Sequence, residues 1–102
     1  MAAAKKAAKG RAVTVDGIEV EVRIDPADDW DFAVASLTIS DPGSTRRERS
    51  EAMVKQVRLL LGDSYDRVMS ELRESRGGKL PIADVRSFFN RVIAAEAGEA
   101  KN

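Results

Sequence analysis

The chain has 102 residues, 43% of them hydrophobic, with 17 basic and 17 acidic side chains and a formal charge of zero. That length supports one domain with a small core, and the balanced charge argues against a dedicated nucleic-acid binder, whose phosphate contacts need a basic excess. With neither cysteine nor histidine, the chain has no disulfide, no thiolate or imidazole metal site, no Ser-His-Asp triad and no Cys-His dyad. No apolar run approaches the roughly 20 residues that span a bilayer, and the N-terminus lacks the apolar stretch of a secretory signal.

Lys5, Lys6, Lys9 and Arg11 place four positive charges in the first eleven residues, so the remainder carries a net charge of −4. Residues 1–11 are low-complexity Ala/Lys with no apolar stripe, which predicts a disordered basic arm. Alternation of Val13 and Val15, then of Ile18, Val20, Val22 and Ile24, predicts two strands over 12–15 and 18–24. Asp16-Gly17 between them suits a type I′ hairpin turn. The longer second strand is expected to leave an open edge, which either covers the helical core or pairs with a partner.

Asp25-Pro26 ends the strand, and a helix is expected from Ala27 to Leu37. Asp28, Asp29 and Asp31 fall in its first turn, where carboxylates suit the positive end of the macrodipole; the EF-hand pattern is missing. Trp30, Val34 and Leu37 form one stripe, so Trp30 is expected as a core anchor, with an exposed partner contact as the alternative. Phe32 lies roughly 200° around the helix from Trp30 and is expected to face elsewhere.

Thr45 with Glu48 fits a capping box opening a second helix. Arg46, Arg47 and Arg49 crowd its first turn against the dipole, which reads as a solvated basic face unless acids lie opposite, either Asp28, Asp29 and Asp31 or an acidic partner surface, with nucleic acid a further alternative. Met53, Val54, Val57, Leu60 and Leu61 make its apolar stripe, and Gly62 stops it. A third helix follows at once, with Tyr65, Val68, Met69 and Leu72 on one face, so the two make a helical hairpin. Arg76-Gly77-Gly78-Lys79 is expected as a flexible loop; it lacks the strand and the Ser/Thr of a phosphate-binding loop. Leu80-Pro81 opens the last helix, whose stripe is Ile82, Val85, Phe88, Phe89, Val92 and Ile93. The fold class is thus α+β, mainly α: a hairpin over 12–24 and about four short helices bundled over 27–96, in a domain over 12–97. Residues 98–102 are expected to fray.

The order of these motifs resembles a known family. Asp29-Trp30 follows the Asp-Gly hairpin, Leu60-Leu61-Gly62-Asp63 is followed by Tyr65, and Gly78 through Phe89 reads Gly-x-Leu-Pro then Asp-Val-x-x-Phe-Phe. The pattern, over Val13 to Ala95, is similar to the tail assembly chaperones of long-tailed bacteriophages and prophages, of the actinobacterial type. The resemblance implies a protein that binds the tape-measure protein and supports polymerisation of tail-tube protein around it. The tail-tube contact is expected through a longer, frameshifted form, and Ala100-Lys101-Asn102 is compatible with an A-AAA-AAC slip heptamer. It further implies the bacterial cytoplasm and absence from the mature virion. On this reading the first two helices contact the client through Trp30 or Phe32 and through Arg46, Arg47 and Arg49. Neither catalysis, a cofactor, a metal, a membrane nor specific nucleic acid is expected, and the oligomeric state stays open. The rival readings are a head–tail connector or other small virion assembly protein and, further off, a small DNA-binding regulator.

Overall fold

The computed structural model describes residues 11–101. Residues 1–10 of the expected arm and Asn102 of the expected frayed tail lie outside the described residues. Strands β1 (Arg11–Val15) and β2 (Ile18–Val22) form an antiparallel pair in register from Val15↔Ile18 to Arg11↔Val22. Asp16 and Gly17 both take positive φ, 55° and 78°, as a type I′ turn demands. Arg11, expected in the arm, is the first residue of β1, and its Nε lies 3.4 Å from the Glu96 carboxylate.

The expected overhang of the second strand is absent, because both strands have five residues. The Arg23 N–H instead donates to the Leu60 carbonyl at 2.7 Å, so the chain leaves the ladder to join a helix end. Glu19 sits where its carbonyl points away from β1, and it accepts from Arg67 at 3.1 Å. Part of the outer edge of β2 is therefore already bonded.

Helix α1 (Trp30–Ser40) starts three residues later than the pattern suggests. Asp25 holds the chain in a turn beforehand: its carboxylate accepts from the Ala27 N–H at 3.0 Å and its carbonyl from Asp28 at 2.9 Å. Asp29 is the cap, accepting from the Phe32 N–H at 2.9 Å. Helix α2 (Arg46–Leu61) opens with the capping box: Thr45 Oγ1 accepts from the Glu48 N–H and Glu48 from the Thr45 N–H. A 3-10 turn, Gly62–Ser64, joins it directly to α3 (Tyr65–Ser75). The four helices therefore make three continuous helical runs among the described residues.

The stretch after α3 is a bonded stop and not a loose loop. The Gly78 N–H donates to the Arg73 carbonyl at 2.9 Å and Gly77 to Glu74 at 3.2 Å, the Schellman pattern, with both glycines at positive φ. Helix α4 (Ile82–Lys101) runs beyond the expected end of the bundle. Its last turns are rich in alanine, the best helix former, and the Arg11–Glu96 pair fastens them to β1.

Val13, Val15, Ile18, Val20 and Val22 bury one face of the hairpin against α2, α3 and α4. Leu60, Leu61, Val68, Leu72, Phe88 and Val92 are fully buried with them, each contributing roughly 1.5–3 kcal/mol. Phe88 and Phe89 meet edge to face, with centroids 5.0 Å apart. Asp16 at the hairpin tip locks the sheet to the C-terminal end of α3 and to the middle of α4. Arg91 donates to its two carboxylate oxygens at 2.6 and 3.0 Å, and Arg76 reaches it at 3.3 Å.

The Arg91 hydrogen bond holds Asp16 below its ordinary carboxylate pKa, opposed by partial desolvation and reinforced by Arg76. A depressed carboxylate pKa gives stability that is complete above the unfolded-state value and disappears as pH falls through the folded-state value. Asp16→Asn keeps a residue suited to the turn and removes the charge. Its melting temperature should fall below wild type at neutral pH, and the gap should close in acid. Gly62 stands at φ 54°, ψ −128°, and a Cβ there would meet Arg23 Cγ at 3.3 Å. Gly62→Ala should cost about 1–3 kcal/mol in urea unfolding.

Candidate partner-binding surfaces

Helix α1 has two opposite apolar sides, Trp30, Val34 and Leu37 on one and Phe32, Ala35 and Ile39 on the other, with Asp31, Ser36, Thr38 and Ser40 between them. Such a helix belongs in an interior or against a partner. Its packing within the chain is against α2. Phe32 (9% exposed) and Ala35 (3%) point inward, whereas Trp30 is 80% exposed, Leu37 70% and Val34 40%. The stripe expected in the core is thus the outer face. Sequence periodicity could not choose between two apolar faces, and the choice is made by α2. Gln56 Nε2 donates to the Phe32 carbonyl at 3.2 Å and to Ser36 Oγ at 2.7 Å, fixing the helix with Phe32 inward.

A second surface opens between α2 and α4. One part of it, about 630 Å³, is lined by the apolar Ile39, Met53 and Ile82 and by Arg46, Arg49 and Arg86. No carboxylate lines it. Met53 and Ile82 also border an adjoining cleft of about 330 Å³ against Met69, Leu80 and Val85. Ile82, expected in the core stripe of α4, is 51% exposed at this junction. Methionines suit such a trough, because their flexible thioethers adapt to different apolar shapes.

The five residues singled out from the sequence are therefore distributed over different environments. Trp30 is on the outer face of α1 and Phe32 is in the core. Arg46 and Arg49 line the α2–α4 cleft, where Arg49 also donates to the Asp41 carbonyl at 3.1 Å. Arg47 turns away and pairs with Glu51 at 3.0 Å, one helical turn on. Among the described residues no ion pair joins these arginines to Asp28, Asp29 or Asp31. Arg86 was missed, although its place four residues after Ile82 puts it on the same side of α4. On the far side of the α2–α3 joint, the Arg58 guanidinium covers the Tyr65 ring at 4.2 Å, a cation–π contact that ties the two helices.

No three or more carboxylates converge as a metal site among the described residues. No described helix is long and apolar enough to cross a membrane. Comparison with known protein families, with curated proteins and with solved structures finds no match to this chain.

The inverted orientation of α1 has a direct consequence for stability. Phe32→Ala should cost about 3–5 kcal/mol, while Trp30→Ser should stay within about 0.5 kcal/mol of wild type. Equal losses for the two would place Trp30 in the core.

Proposed function

We propose that this chain is a non-enzymatic client-binding module that covers apolar helical segments of another protein during assembly. The observation that carries this reading is the uncovered Trp30–Val34–Leu37 stripe on a helix whose opposite apolar side is already packed on α2. A client helix with its own apolar stripe can lie along it, in the manner of helix-in-groove recognition. Within that class, the order of Asp29-Trp30, Leu60-Leu61-Gly62-Asp63 with Tyr65, and Gly78 through Phe89 supports a tail assembly chaperone of a long-tailed phage or prophage. Its client is then the tape-measure protein, held soluble in the bacterial cytoplasm until tail-tube subunits close around it. A longer, frameshifted form would bring in the tail-tube protein, and the chaperone would leave before the virion matures.

The physics suits such a task. A long helical client offers many apolar stripes, so modest affinity per copy is multiplied by several copies on one chain. Modest affinity also allows displacement when the tube protein arrives. The test is co-expression with the tape-measure protein from the same genome. Wild type should shift that protein from the pellet to the soluble fraction and co-purify with it. Trp30→Ser/Leu37→Glu, folded as judged by circular dichroism, should lose both effects. A client equally soluble with or without the chain, or rescued equally by the variant, would contradict the reading.

A further inference from the structure

The two exposed surfaces are complementary to each other. The α1 stripe is apolar and runs about 10 Å from Trp30 to Leu37, with Asp28 and Asp31 exposed beside Trp30. The α2–α4 cleft is lined by the apolar Ile39, Met53 and Ile82 and by Arg46, Arg49 and Arg86. Among the described residues, neither Asp28 nor Asp31 forms an ion pair, and neither does Arg46 or Arg86. We infer that this cleft receives the α1 stripe of a second copy of the chain, with Asp28 and Asp31 meeting the arginines.

Geometry excludes filling the cleft from within the molecule. Ile39, which lines it, lies about 180° around α1 from Trp30, so stripe and cleft face opposite ways on one helix. The contact is therefore heterologous, head to tail, and each added copy presents a fresh stripe and a fresh cleft. A symmetric stripe-on-stripe dimer would cover the stripe but leave the cleft open and its arginines unmatched. Nucleic acid fits less well, because the cleft lining is partly apolar and the chain beyond residue 11 is net acidic. The ionic share of the contact makes it weaken as salt rises. Self-association of this kind also keeps the stripe covered until a client displaces the neighbouring copy. The inference shares the stripe with the client-binding reading but does not depend on it, since its test contains no client.

Two variants of the 102-residue chain decide it. Trp30→Ser/Leu37→Glu removes the stripe and the sole tryptophan while leaving the cleft. Arg46→Glu/Arg86→Glu reverses the cleft charge while leaving the stripe and Trp30 as reporter. In sedimentation velocity, wild type should grow in size with concentration without stopping at a dimer, and each variant alone should stay monomeric. Mixing the two should give a one-to-one heterodimer, with Trp30 emission shifted to shorter wavelength and protected from acrylamide. Wild type that remains monomeric at every concentration would overturn the inference. So would an arginine variant that still self-associates, or a mixture that leaves Trp30 emission unchanged. Any of these three results would leave the co-expression outcome free to stand on its own.

Discussion

The joint between α2 and α3 is the constraint on which the other elements depend. Leu60 and Leu61 end α2 fully buried, and Gly62 turns the chain through a φ, ψ pair that only glycine takes without strain. Val68 and Leu72 of α3 are thereby brought back onto the same core. The Leu60 carbonyl, freed at the helix end, accepts from Arg23 and so anchors the strand side of the molecule at the same point. Two helices too short to persist alone become a single platform. The hairpin, marginal by itself, finds there the apolar surface it needs, and α4 closes the remaining side with Phe88 and Val92.

With the core completed by the hairpin, α2, α3 and α4, helix α1 is left at the periphery. One face is held by α2 through Phe32, Ala35 and the Gln56 hydrogen bonds. The opposite face, as apolar as the first, meets solvent. Exposing one large apolar side chain is ordinary; exposing a contiguous stripe of three on one short helix points to a binding surface. The cleft on the opposite side of α1 has the reverse character in charge, with Arg46, Arg49 and Arg86 where α1 carries aspartates beside its stripe. The small domain thus combines a packed core with two exposed surfaces on opposite sides of α1.

Much of the scaffold was legible in the sequence because local rules determine it. The Asp16-Gly17 turn, the Thr45–Glu48 capping box and the stop at Gly62 each depend on neighbouring residues, and each is found where the pattern puts it. The orientation of α1 was not legible, since a period of 3.6 marks a face only when the other face is polar. Nor was the Asp16 clasp, because Arg91 lies 75 residues away in sequence. The cleft escaped for a related reason: Arg46, Arg49 and Arg86 come from two helices whose relative placement no local signal encodes. Of the expected partner-binding residues, Trp30, Arg46 and Arg49 lie on the exposed surfaces, while Phe32 joined the core and Arg47 its own helical turn.

Helix α1 presents Trp30 outward. Because Trp30 is the sole tryptophan, its emission and acrylamide quenching in the dilute protein read this out directly. With Trp30 facing solvent, emission should be at long wavelength and quenching close to that of a free indole. Short-wavelength emission and strong protection in a protein shown to be monomeric would contradict this orientation, because α1 would then be turned with Trp30 in the core.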